Sequence, residues 1–221
     1  MKKVIFCLLV VSALISCGDA KKELVKEAFA EFRGNFVIYV DKIHFALYVY
    51  DRNLRVVKKY LISYGLNPDK KPKLHRGDNR TPEGLYRVSE ILSMDADSGT
   101  ESYRKLRRMN SVYFRARDGH YKYQNPGIDL GDNAYGPRFF LLDYPNDRDR
   151  RRHEEALEKG ELPMQNGEPA PIGHGIAIHG NNDQESIGGL ATSGCVRMYN
   201  NDIIELERYI MLGTPVIISG P

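Results

Sequence analysis

The stretch GIAIHGNNDQESIGGLATSGCVRMYNNDIIEL, from Gly175 to Leu206, holds one histidine and one cysteine, each beside a glycine: His179 before Gly180, and Cys195 after Gly194. A thiol near its ordinary pKa of about 8.5 is mostly protonated at neutral pH, and a neighbouring imidazolium lowers that value and supplies the nucleophilic thiolate. His179 is the residue suited to that part. Gly194 lets backbone approach a reacting carbonyl closely, and the amides around Gly194 and Cys195 could stabilise an oxyanion, a contribution of about 3 kcal/mol per donor. In outline this is acyl-transfer chemistry.

The elements around these residues must bring them to one side. In GIAIHG, strand alternation puts Ile176 and Ile178 on one face and Ala177 and His179 on the other. In SGCVRM, Cys195 and Arg197 share a face opposite Val196 and Met198. Arg197 has two readings, a partner for a substrate carboxylate or a structural salt bridge. Thr192 reads as a turn-former. A metal site is not expected, because His174 and His179 lie five positions apart on a strand, face opposite ways and have no third ligand near them. His44, His75, His120 and His153 stand in charged surroundings and read as surface residues.

The amino terminus bears on why a lone thiol is kept. Lys2 and Lys3 precede an almost wholly apolar run, Val4 to Ile15, which ends in LISC at Cys17. The run is shorter than the roughly 20 residues of a membrane-spanning helix and fits the apolar core of a secretory leader, residues 1–16. Leu14 and Ser16 before Cys17 resemble the lipobox at which bacterial lipoproteins are cleaved and lipidated. On this reading the protein is exported and held on a membrane, facing the periplasm or cell wall, by a lipid on Cys17. Cys7 leaves with the leader, and Cys195 is left without a disulfide partner, either inert and buried or kept for chemistry.

The chain of 221 residues carries 32 basic and 29 acidic residues. Loss of Lys2 and Lys3 brings the balance close to neutral, so charge gives no general pull towards nucleic acid or anionic membrane. Residues 17–34 read as a lipidated, charged linker in which Val25, Ala28, Phe29 and Phe32 have helical spacing, which predicts a short amphipathic helix packed on the domain edge or lying on the membrane. From residue 35 onward the pattern is that of strands. FVIYV, FALYVYD and RVVKKYLISYG read as an antiparallel meander, and EGLYRVSEIL, RFFLLDYP, GIAIHG and PVIIS as later strands. A helix is predicted from about Asn201 to Leu212, with Gly213 as its stop. Segments near 93–135 and 145–171 read as insertions, either solvated surface or a substrate-binding rim, the second as a short helix.

IHG followed by IGG, TSGCVRM, NND and GTPVII, with RTPEGLYRV and LLDYPN upstream, resembles the catalytic domain of the L,D-transpeptidases, the YkuD-type enzymes of bacterial peptidoglycan. The likeness extends over most of residues 35 to 220. It implies a mainly β fold, a sandwich or barrel with a few short helices, over 35–221, and no cofactor. It also implies that Cys195 attacks the L-centre carbonyl of the diamino acid in a stem tetrapeptide, that His179 is the base, and that the Gly180 carbonyl orients the histidine ring. Many members have histidine where Ser193 stands; Ser193 either keeps a hydrogen bond to the site or is tolerated there. The resulting thioester passes to an amine in a transpeptidase and to water in a hydrolase. A catalytically silent wall-binding lipoprotein is the third reading, against which retention of both His179 and Cys195 argues. The oligomeric state is not legible in the sequence.

Overall fold

The computed structural model describes residues 20–113, 121–122, 125–129 and 132–220, with side chains over 20–111 and 132–220. The leader, the expected lipidation site Cys17, and His120 lie outside these ranges. A helix over 20–30, α1, precedes a meander of β1 (Phe36–Asp41), β2 (Ala46–Asp51) and β3 (Val56–Gly65). Then come β4 (Gly84–Ser93), α2 (Glu101–Arg108), the short pair β5 (Tyr121–Lys122) and β6 (Asn125–Asp129), β7 (Arg138–Leu142) and α3 (Asp147–Glu158). A second short pair, β8 (Met164–Gln165) and β9 (Glu168–Pro169), leads to β10 (Ala177–His179), β11 (Leu190–Thr192), β12 (Val196–Met198), α4 (Asn200–Leu206) and β13 (Pro215–Ser219).

Nine strands form one sheet in the order β11-β3-β12-β10-β7-β4-β13-β1-β2, and β2 returns to pair with β3, so the sheet closes into a barrel. The meander is antiparallel, as its alternating β-branched and aromatic residues predict. Inward positions make the main core: Ile38, Val40, Leu47 and Ile62 from the meander meet Phe140, Ile178, Val196 and Met198 from the later strands, with Ile203 and Leu206 of α4. Burying each such side chain contributes about 1.5–3 kcal/mol. On the outer face, Val25, Ala28 and Phe29 of α1 pack against Val37, Tyr39, Tyr50 and Ile217. Of the two expectations for this helix, packing on the domain edge is the one observed. Among the described residues no helix is long and apolar enough to cross a membrane.

Two sequence expectations are corrected. The late helix ends well before Leu212: α4 stops at Leu206, one 3-10 turn follows (Glu207–Tyr209), and Ile210 is already extended (φ −109°, ψ 135°). The chain leaves the helix because the Met211 amide donates to Thr214 Oγ1 (2.8 Å) and Gly213, at φ +81°, turns it into β13, which runs parallel to β1. The segment near 93–135 is not merely solvated surface. Leu106 of α2 is fully buried, and with Met94 and Met109 it packs into the apolar cluster that also takes in Leu92, Phe139, Ala177 and Cys195. The segment near 145–171 does form the expected short helix, α3, started by a capping box between Asn146 and Asp149.

Candidate active site

β10 and β12 lie side by side and parallel, with Ile178 opposite Val196 and His179 opposite Arg197. Strand alternation then sorts the side chains: Ile178, Val196 and Met198 enter the main core, while Ala177, His179, Cys195 and Arg197 face the other way. His179 and Cys195 are therefore diagonal neighbours on one face. Parallel neighbours cannot be joined by a tight hairpin and need a crossover of a dozen residues or more. The interval between the two residues is that crossover, and it carries β11, which pairs with the end of β3.

The histidine ring is held on three sides. Phe139, its register partner on β7, stacks at 5.8 Å between centroids and 23° between planes, and Tyr135 meets it edge-on at 5.0 Å. The third contact is from Nδ1 to the Gly180 carbonyl, at 2.5 Å. A carbonyl only accepts, so Nδ1 carries the proton and Nε2 is left with the lone pair. The Gly180 turn that supplies this carbonyl is fixed in its turn: Gly180 N–H donates to Arg138 O (3.2 Å), and Asn181 N–H donates to Asn200 Oδ1 (2.8 Å). Gly136 packs against that turn at φ +66°, where a Cβ would stand 2.6 Å from the Asn181 nitrogen.

Cys195 is a free thiol, half-buried. Its Sγ–H points to the Gly175 carbonyl at 3.6 Å. The turn before it is pinned from several directions. Gly194 has φ +141°, and a Cβ there would stand 2.7 Å from the Arg80 carbonyl oxygen and 2.9 Å from Ile176 Cδ1. Thr81 Oγ1 donates to Gly194 O (2.8 Å) and accepts from Gly65 N–H (2.9 Å). Thr192, expected to form a turn, donates to Cys195 O (2.7 Å) and accepts from Gly194 N–H (3.1 Å). The Gly194 amide, expected at an oxyanion, is thus bound within the turn, and what Gly194 supplies here is a conformation and a close approach. Ser193 is exposed.

Electrostatics correct a further expectation. Burial, and then the Arg197 guanidinium, drive the His179 pKa down to about 3, with the Gly180 carbonyl pulling the other way. Burial likewise pushes the Cys195 thiol up, opposed by the Ala177 amide, Arg197 and Lys73. The resting pair is therefore a neutral thiol beside a neutral imidazole, and not a preformed thiolate and imidazolium. Arg197 donates from Nη1 to Ser186 Oγ (3.2 Å), while its buried Nε has no hydrogen-bond partner. Its hydrogen bond among the described residues is to a hydroxyl, and the Asp183 carboxylate acts on it by charge.

Sequence reasoning missed the aromatic walls, Phe139 and Tyr135, and a buried ion pair, Lys73 with Asp78. The first had half a signal: alternation in RFFLL sets Phe139 on the face opposite Phe140, and the β7–β10 register, which is not written in the sequence, puts it across from His179. His174, set aside as a ligand, is exposed and meets Arg76 Nη2 at 2.8 Å. Among the described residues no group of three or more His, Cys, Asp or Glu could hold a metal ion.

Residues 35–218 match the L,D-transpeptidase catalytic domain family, YkuD. Over 142 residues the chain is 40% identical to a Bacillus subtilis (strain 168) protein with the provisional name L,D-transpeptidase YqjB, covering 64% of this chain and 62% of that protein. It is 35% identical over 72 residues to the provisionally named L,D-transpeptidase YkuD of Bacillus licheniformis, covering 28% of this chain and 44% of that one. The chain thus spans less than two thirds of the length of these relatives. Among solved structures, Bd1075 of Bdellovibrio bacteriovorus is similar at 25% identity and a TM-score of 0.49, over 84% of this chain and 48% of that one. The helical cell shape determining protein Pgp2 of Campylobacter jejuni is similar at 21% and 0.47, over 84% and 47%.

Proposed function

Because the chain belongs to the L,D-transpeptidase catalytic domain family, we propose that it acts on peptidoglycan stem peptides as an acyl-transfer enzyme, with Cys195 as nucleophile and His179 as general base. The observation that carries this reading is the β10–β12 register. It sets the two side chains on one face, with the histidine tautomer fixed by Gly180 so that Nε2 is the basic nitrogen.

The step runs as follows. His179 Nε2 takes the thiol proton as Sγ attacks the L-centre carbonyl of the diamino acid, so no standing thiolate is required. The carbonyl oxygen gains the charge, and the Cys195 N–H is the amide assigned to it, since the Gly194 N–H is bound to Thr192. Collapse expels the terminal D-alanine amine, which leaves with the proton from His179. An amine acceptor then attacks the thioester carbon, the imidazole takes the proton of that amine, and as the C–S bond breaks the proton returns to Sγ and restores the neutral pair. Arg197, opposite His179 in the β10–β12 register and facing the same way, would bear on a substrate carboxylate. Ser193 and Thr192 border the same turn.

The test is incubation of the full chain with a disaccharide tetrapeptide and weighing of the products. A dimer joined through two diamino acids is expected. Cys195→Ala should form none, and His179→Ala should lose about 10²- to 10⁴-fold in turnover, the usual contribution of a general base. A free tripeptide with no dimer would replace transpeptidation by hydrolysis, and no product at all would remove the enzyme reading.

The proposal extends to location: an exported lipoprotein whose lipid on Cys17 holds the domain at a membrane, facing the periplasm or cell wall. The LISC junction after a short apolar run supports it. Metabolic labelling with a tagged fatty acid is expected to mark the wild-type chain and to spare Cys17→Ala; equal labelling of both overturns the anchor.

A further inference from the structure

The segment 66–83 between β3 and β4 lies over the turn that carries the nucleophile. Arg80 presses its carbonyl against Gly194, and Thr81 ties Gly194 O to Gly65 N–H. At the middle of this strap is a buried ion pair. Lys73, 4% exposed, donates from Nζ to Asp78 Oδ1 at 2.6 Å, and its amide donates to Thr81 O at 3.2 Å. The lysine stem lies against Gly173, where a Cβ would stand 2.6 Å from Lys73 Cε. Two residues further on is Gly175, whose carbonyl receives the Cys195 thiol.

The two ends of this pair are not equivalent. Asp78 is wrapped by backbone amides: those of Leu74 (2.6 Å) and His75 (3.1 Å) donate to Oδ2, and that of Arg80 (3.1 Å) to Oδ1. Burial alone would raise this carboxyl, but the Lys73 ammonium and those amides outweigh it and hold Asp78 below the usual carboxylate range. With its charge met by amide dipoles as well as by Lys73, Asp78 cancels less of the lysine's field at the sulfur. Among the described residues, the charged and titratable groups that bear on the thiol or on its partner Arg197 are Arg197 from β12, Lys73 from the strap, neutral His179 from β10, Tyr135 from the loop before β7 and Asp183 from the crossover, which acts on Arg197. The apolar cluster that takes in Cys195 also holds Leu92, Leu106, Met94 and Met109.

We propose that Lys73 is a positioning residue for the nucleophile: its ammonium, held by Asp78 against the Gly173–Gly175 segment that receives the Cys195 thiol, favours the thiolate when the S–H proton moves to His179 Nε2, and so sets the pH at which Cys195 reacts. The proposal rests on the reading of Cys195 as the nucleophile for its bearing on turnover, but not for its effect on the thiol. Burial opposes charge on both sulfur and ring, so the proton transfer needs cations facing the sulfur. Arg197 and Lys73 are those cations, and Lys73 is the one that no part of the nucleophile's own strand supplies.

The experiment is alkylation of the full chain by iodoacetamide across a range of pH, followed by mass spectrometry of the peptide that carries Cys195. Lys73→Met is expected to move the midpoint up by about one pH unit, roughly tenfold slower alkylation at a fixed pH below it. Lys73→Arg should restore the wild-type midpoint. Asp78→Asn, which leaves the lysine uncompensated, should move it down. A strap that merely loosens would move both Lys73→Met and Asp78→Asn in the same direction, and that result, or an unmoved midpoint in both, overturns the proposal. Where Lys73→Met does not fold, the direction of Asp78→Asn decides. Tetrapeptide turnover is measured on the same samples: a wild type with no turnover removes the enzyme reading, while the midpoints still decide the role of Lys73.

Discussion

Lys42 and Lys73 are both buried, both paired with a carboxylate, and both tied to the strap between β3 and β4, yet of the two only Lys73 lies against the segment that receives the Cys195 thiol. Lys42, fully buried in the turn after β1, donates to Lys70 O (2.7 Å) and Glu83 Oε1 (2.5 Å) and stands 5.7 Å from the Tyr64 ring centroid. It fixes the two ends of the strap to the barrel. Burial pulls its ammonium below the ordinary lysine value, and Glu83 pulls it back. Lys73 fixes the middle of the same strap, where its stem lies against Gly173, two residues before the Gly175 carbonyl that receives the Cys195 thiol. The contrast teaches that burial and pairing alone do not give a lysine a chemical role. What decides it is whether a group that must change charge lies within reach of its field.

The largest effect that can test this contrast is on stability. Lys42→Met leaves Glu83 without its cation, and because Glu83 keeps some access to water the cost should fall at the low end for a broken buried pair, about 3 kcal/mol. For a domain of this size that is a fall in Tm of about 6–12 °C. The Cys195 alkylation midpoint should stay at its wild-type value. If Lys42→Met moved that midpoint as far as Lys73→Met, the two lysines would differ only in address, and the effect on the thiol would belong to the strap as a whole.

Much of the site was legible in the sequence because it is written in strand alternation. The sorting of Ile178, Val196 and Met198 from His179, Cys195 and Arg197 follows from a period of two, and the structure keeps it. The parallel pairing that makes the histidine a diagonal neighbour of the cysteine was not legible, since alternation says which face a residue takes and not which strand lies beside it. The strap was illegible for a different reason. KPKLHRGDNRTPEG has no apolar period, and its lysine and aspartate are joined by a loop whose path is set by Asp78 receiving three backbone amides. Leu106 was passed over because one apolar residue among the charges of ESYRKLRR makes a weak stripe, and its burial depends on a cavity wall built by Leu92, Phe139 and Ala177. The end of α4 was misjudged because Tyr209 and Ile210 continue the helical spacing of Ile203 and Leu206, although they reach the core from a 3-10 turn and an extended residue.

A smaller effect sharpens the same contrast from the histidine's side. Lys42 has Glu83 to offset the pull of burial on its ammonium; His179, 3% exposed and walled by Phe139 and Tyr135, meets no carboxylate among the described residues and gives its charge up. The folded chain holds the ring neutral down to about pH 3, while the unfolded chain protonates it near its ordinary value of 6.5. Between those values the unfolded state binds more protons, so stability must fall as pH drops from 6.5 towards 3 and rise again as pH is raised. At pH 5 the loss assignable to this one group is about 2 kcal/mol relative to pH 7 or above. His179→Gln removes the titrating ring but leaves Asp41 and Asp78, whose depressed carboxyls cause acid losses in both proteins alike. Chemical denaturation of the two proteins at pH 7.5 and pH 5 should therefore show the wild type losing about 2 kcal/mol more than the variant over that interval. Equal losses would mean that the folded chain protonates His179 as readily as the unfolded one, and that burial is not what sets the charge of the ring.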